Sequence, residues 1–178
     1  GRIIIDGSVI DGIHVNGTLG IVVNGHVGAS LLTSRGDIKI DRIHGADKAR
    51  IKCDGDFYAD CVYNATVEAR GSIYISKESL HSVLKAGKTV KAHTVTGGYC
   101  VALDSIELGR VGSPKDLTTV IRAGEDFYLS DKISGLEKNI KELEAHLDRT
   151  SSLLGPYSSD ISKAFSLAED KKQLMFRL

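Results

Sequence analysis

A short phrase, seen most clearly as A-T-V-E-A-R-G-S-I-Y-I from Ala65 to Ile75, recurs at least six times along the chain and limits what it can fold into. Apolar and polar residues alternate on both sides of a central Gly71, so two short strands with period 2 meet at a glycine corner. Four places before the corner the residue is aliphatic in every copy: Ile13, Leu32, Ile51, Val67, Leu84 and Ile121. Two places before it stand Val15, Ser34, Cys53, Ala69, Ala86 and Ala123. Beyond the corner, the pairs Leu19/Ile21, Ile38/Ile40, Phe57/Ala59, Ile73/Ile75, Val90/Ala92 and Phe127/Leu129 repeat at +2 and +4, with Ile3/Ile5 and Cys100/Ala102 as further copies.

From Gly1 to Lys88 the corners are 16 to 19 residues apart, too short a period for the helical solenoids and long enough for three short strands with turns. Stacked coils that each contribute the same inward set lie about 4.8 Å apart and fill a continuous core, which is the parallel β-helix. The 19 glycines among 178 residues fit such corners. Spacings that differ by three are absorbed as bulges at a corner. Right-handed winding is expected from the general crossover preference. V-N-G-H-V-G at Val23 to Gly28 resembles one hexapeptide of a left-handed helix, but it does not continue.

Along the chain, R-I-H-G-A-D-K at Arg42 to Lys48 is expected as a charged corner loop and the polar run between Ser76 and Ser82 as a second protruding loop. The step of ten residues from Lys88 to Gly98 predicts that the regular coil breaks down there, and G-R-V-G-S-P-K-D at Gly109 to Asp116 interrupts the last repeats. The first coil, with nothing before it to cover its edge, is expected to meet a preceding domain or another chain.

Past Asp126 the period changes. Ile133, Leu136, Ile140, Leu143, Leu147 and Leu154 are spaced 3, 4, 3, 4 and 7, which predicts a coiled-coil helix opening at Asp131 and running about 36 Å. Gly155-Pro156 then forces a turn, and Ile161, Phe165, Ala168 and Met175 mark a second, antiparallel arm that reaches the last residue without a stop signal. The expected organisation is therefore mainly β, a right-handed parallel β-helix over 1–129 followed by an antiparallel α-helical coiled-coil hairpin over 130–178, with the parent chain continuing beyond.

Charge argues against several partners. With 23 basic and 23 acidic residues there is no strong electrostatic case for nucleic acid or an anionic membrane. No apolar run has the length of a membrane span and no signal peptide opens the chain. Cys53, Cys61 and Cys100 make no C-x-x-C, and Cys53 and Cys100 fall at inward positions, as buried thiols do. His14, His26, His44, His81, His93 and His146 sit at unrelated repeat positions, so no metal is expected. Asp37 and Asp56, at the same corner position with Asp126 repeating it, could be read as a calcium ladder or an acidic cleft; aspartate beside glycine is more simply a turn former that binds backbone amides. No phosphate loop and no nucleophile elbow is present, and no cofactor is expected.

Repeating coils that run into a helical hairpin through G-G-Y-C-V-A-L-D-S-I at Gly97 to Ile106, G-S at Gly112-Ser113 and T-V-I-R-A-G-E-D at Thr119 to Asp126 resemble the bacterial flagellar assembly protein A family. The likeness covers nearly the whole chain. It implies a cytoplasmic, non-enzymatic protein that scaffolds or regulates assembly or placement of the flagellum through partner proteins, with the cell pole as a candidate location. The family offers no catalytic or ligand motif to match. Bactofilin filaments use similar short coils, so a polymer-forming β-helix is the alternative, and a polysaccharide-active β-helix is a third, weakened by the absence of paired acids or an aromatic groove. The candidate partner surface is the outward position +3, where Tyr58 and Tyr74 stand between Lys39 and Lys91. The two rings are expected to stack there, and the face is expected to bind a soluble protein. Self-association through the coiled coil is a further expectation.

Overall fold

A computed structural model describes residues 1–113 and 118–154. Ten strands follow one another, β1 (Arg2–Ile5), β2 (His14–Gly17), β3 (Gly20–Val27), β4 (Leu31–Ser34), β5 (Asp37–Cys53), β6 (Phe57–Ala69), β7 (Ile73–Ala86), β8 (Thr89–Ala102), β9 (Ser105–Val111) and β10 (Thr119–Ala123), and then one helix, α1 (Phe127–Leu154). Every strand pairing is parallel, and the strands of the inner coils pair with the coil before and the coil after, while β1, β2, β9 and β10 at the two ends pair on one side only. Gly1–Ser130 forms one compact unit and the chain from Asp131 a second.

Three inward columns make the core. The first runs Ile3, Ile21, Ile38, Phe57, Ile73, Val90, Ile106, one residue from each of seven coils. The second runs Val9, Val27, Ile43, Val62, Ser79, Val95, Val111, and the third Val15, Leu32, Ile51, Val67, Leu84, Cys100, Ile121. The middle members are fully buried, so each coil is sealed by its neighbours and stability is shared between adjacent coils.

The sequence register holds from Gly36 to Ala92 and slips at both ends. In the second coil the buried pair is Ile21/Val23, while Leu19 is exposed. In the first, Val15/Gly17 stack on Leu32/Ser34, in place of Ile13/Val15. Both slips are of two residues, which keeps every side chain on its expected face and so leaves no trace in an alternating pattern. Cys100/Ala102 belong to the third column, on Leu84/Ala86, not to the first. The coil therefore does not break down after Lys88: the Asp104 N–H bonds to the Lys88 carbonyl (2.9 Å), which closes a regular coil of sixteen residues. Nor is Ser76 to Ser82 a protruding loop. Glu78, Ser79 and Leu80 pair with Cys61–Tyr63 below and Thr94–Thr96 above, and Ser79 is buried. The insertion in β5 behaves as expected: its register is interrupted between His44 and Ala49, where Ala46, Asp47 and Lys48 are exposed.

The glycines of the first corner are needed for space, not for their backbone angles. A Cβ on Gly71 would stand 2.1 Å from Asp56 Oδ1, and one on Gly55 would stand 2.2 Å from Asp37 Oδ1. Those carboxylates occupy the gap because they accept backbone N–H groups of the next coil, Asp37 from Asp56 (2.9 Å) and Asp56 from Ser72 (2.7 Å). These aspartates accept backbone amides as expected, but from the next coil rather than from their own turn, so they bridge coils. Left-handed backbone is found instead where the second strand of each coil turns into the third, at Ala46, Asp47, Asn64, His81 and Gly97 in successive coils. Asparagine, aspartate and histidine tolerate that region better than most residues.

Phe127 and Leu129 mimic another inward pair but lie in the first turn of α1, which opens at Phe127, four residues earlier than expected. Asp126 is its N-cap, with Oδ1 accepting from the N–H groups of Tyr128 and Leu129 (both 3.0 Å). This turn is held on the third face of the solenoid: Phe127 is buried, and Arg70 donates to the Tyr128 hydroxyl (2.8 Å) with its guanidinium 4.5 Å from that ring. The turn at Gly155-Pro156 and the second arm of the expected hairpin lie outside the described residues. No described helix is long and apolar enough to cross a membrane.

Candidate functional site

The site is built by the first strand of each coil. Side chains at +2 and +4 from the corner enter the core, so those at +3 and +5 form ridges on the surface that run from coil to coil. One ridge is Lys39, Tyr58, Tyr74, Lys91 and Glu107 in strict register. All four residues singled out in the sequence are thus brought into one column. The rings of Tyr58 and Tyr74 stack with centroids 5.0 Å apart and planes 11° from parallel. Two residues further along each strand, Asp41, Asp60, Ser76 and His93 line the other side of a groove of about 620 Å³.

Electrostatics differ along the two sides. Lys91 is held by Glu107 (2.8 Å), a hydrogen-bonded pair that keeps the ammonium above its ordinary pKa. Asp60 is engaged by Lys77 (2.8 Å) and the Ser76 hydroxyl (2.6 Å), and the Lys77 bond is the main reason its pKa is lowered. Lys39 has no ion pair among the described residues, so its charge is available to a ligand. Desolvation, followed by the nearby Asp56 carboxylate, raises the Tyr58 pKa, so the phenol stays protonated and donates to Asp56 Oδ2 (3.3 Å). The groove therefore presents a neutral aromatic platform with the Lys39 ammonium and the Asp41 carboxylate, neither in an ion pair among the described residues, at one end.

The second ridge was missed in the sequence, although it too has a fixed repeat position, five residues past each corner. Its members differ in chemistry, and a column that reads Asp, Asp, Ser, His carries no single signal. Two of the histidines, expected at unrelated positions, come together away from the groove. His26, His44 and Tyr63 form a separate ring column on the second face, with spacings of 6.0 Å and 4.8 Å. Among the described residues no three of His, Cys, Asp and Glu converge as a metal site would require. All three cysteines are buried as free thiols, and burial pushes Cys53 and Cys100 up to about 12, which leaves them protonated and unreactive. What the groove can do chemically is bind, through aromatic area, the Lys39 ammonium and the Asp41 carboxylate.

Comparison with known proteins agrees with this architecture. The model of the flagellar assembly protein A beta solenoid domain matches residues 1–176. No curated protein and no solved structure matches the chain.

Proposed function

The chain belongs to the flagellar assembly protein A family, and from that premise we propose that it is a non-enzymatic scaffold of flagellar assembly or placement, which acts in the cytoplasm by docking a soluble protein on the Tyr58–Tyr74 groove. One observation carries the reading: two stacked tyrosines, with Tyr58 39 % exposed, lie between Lys39 and Lys91 over an open groove. Paired rings of this kind give large contact area with few torsions to freeze, the quality that makes tyrosine frequent among interface residues that dominate binding. Charge complementarity defines the partner. The unpaired Lys39 and the polar second ridge fit a segment that places apolar side chains on the rings, a carboxylate on Lys39 and a hydrogen-bond donor or cation on Asp41.

The test compares the wild-type chain with a Tyr58→Ser, Tyr74→Ser double variant as bait in cell extract. A flagellar component retained by the first and lost by the second supports the docking face. If the variant stays folded and retains the same components with equal affinity, this face is not where they bind.

A further inference from the structure

Along α1 the residues Ile133, Leu136, Ile140, Leu143 and Leu147 make a continuous apolar seam, and each of them is 47–68 % exposed. Written as heptads, Ile133, Ile140 and Leu147 take the a positions, and Leu136, Leu143 and Thr150 take the d positions. We propose that this seam joins two copies of the chain in a parallel, in-register, two-stranded coiled coil.

Three observations select a second copy in this orientation. From Ile133 to Thr150 isoleucine holds two of the three a positions and leucine two of the three d positions, the distribution that favours parallel dimers over higher oligomers. The flanking positions agree. Glu137 and Glu144 stand at e, and Lys132, Asn139 and His146 at g. A parallel dimer sets g of one helix beside the following e of the other, so Lys132 meets Glu137 and Asn139 meets Glu144, with no like-charge pair. Two antiparallel copies would set e beside e and bring these glutamates together. Third, the polar d residue does not spoil the seam. Thr150 already donates its hydroxyl to the His146 carbonyl (2.9 Å), so it takes no unpaired donor into the interface. The helical ion pair Lys138–Glu142 falls on the outer c and f positions, away from the seam.

Dimerisation through α1 tethers two solenoids, and with them two grooves. A partner that repeats, as the subunits of an assembly do, would then be gripped at two points, and avidity of this kind raises affinity by about 10²–10⁴ without any new contact. The seam and the groove are separate surfaces, so each stands or falls without the other.

The measurement is sedimentation equilibrium of the chain over a dilution series, joined to a cross-linking test. Twice the chain mass is expected at high concentration, with dissociation on dilution. Leu143→Asp should sediment at the single-chain mass throughout while keeping the β-sheet circular dichroism of the solenoid. Leu136→Cys should oxidise to a covalent dimer, because d residues of parallel helices in register face their own copies at a separation a disulfide can span; the wild type, whose three thiols are buried, should not. Three results would overturn the proposal. One is a wild-type monomer at every concentration, as when residues 155–178 or another partner cover the seam. Another is a dimer indifferent to Leu143→Asp. The third is a dimer that Leu136→Cys fails to cross-link, which makes it antiparallel or out of register.

Discussion

Ser79 sits in a column of branched aliphatics, between Val62 and Val95, with 1 % of its surface exposed and no hydrogen-bond partner for its hydroxyl among the described residues. Replacing it with valine should stabilise the protein. A buried hydroxyl without a partner costs about 1–3 kcal/mol relative to solvent, and that cost disappears with the oxygen. The added apolar volume contributes about 0.8 kcal/mol for each CH₂ equivalent if the column accepts it. Valine at the register-matched positions on both sides shows that the column has the shape for one, so strain should take back less than the gain. The net expectation is about 1–2 kcal/mol, or roughly 3–6 °C in Tm for a chain of this size. Urea unfolding followed by circular dichroism measures it, with an unchanged m-value as the sign that only stability moved. Ser79→Ala separates the two contributions, since it removes the hydroxyl without adding volume and should recover about 1 kcal/mol. If both variants are less stable than the wild type, the hydroxyl has a partner and the inward placement of this strand is mistaken.

Val67→Asp places a carboxylate between Ile51 and Leu84 with no partner, at a cost of several kcal/mol, and should abolish cooperative melting. Gly71→Ala drives a methyl against Asp56 Oδ1 and the Gly55 carbonyl, and should lower the denaturant midpoint by an equivalent of about 1–3 kcal/mol although no unusual backbone angle is involved. Cys53 and Cys100 are protonated in the fold up to about pH 12, whereas an exposed thiol ionises near 9.0. Their contribution is complete below that lower value and is lost as pH rises toward the upper one, by about 1.4 kcal/mol per pH unit per thiol, and Cys100→Ala should make the alkaline decline of Tm shallower. Gly135→Ala, at a helix position with open space around it, should add about 1 kcal/mol of helix stability, read as a stronger far-ultraviolet helix signal.

The fold class was legible because alternation and a repeat length act together: once Ile38, Phe57, Ile73 and Val90 are aligned, stacking follows. Two kinds of information were not. Register slips of two residues preserve facing, so Leu19 looked as good as Ile21 until the coil below fixed the pairing. Polar residues can also occupy core columns, and Ser79 made a true strand look like a loop. The left-handed corner was hidden for a related reason, since Asn64 and His81 do there what glycine does once, at Gly97. At the site, Tyr58, Tyr74, Lys39 and Lys91 stood out because two tyrosines share one repeat position; Asp41, Asp60, Ser76 and His93 share a position as well, but no common chemistry marked them as the other side of a groove. The helix start was misplaced because an apolar pair beside Asp126 fits either an inward strand pair or a capped first turn, and only the Asp126 hydrogen bonds distinguish them.

The most direct test of a docking scaffold is made in the native host, with the Tyr58→Ser, Tyr74→Ser variant as the sole copy of the protein and flagella counted and located by electron microscopy. At unchanged protein level, flagella should be fewer or misplaced. Wild-type number and placement, in cells where the variant is folded and abundant, would contradict the assignment of function to this face.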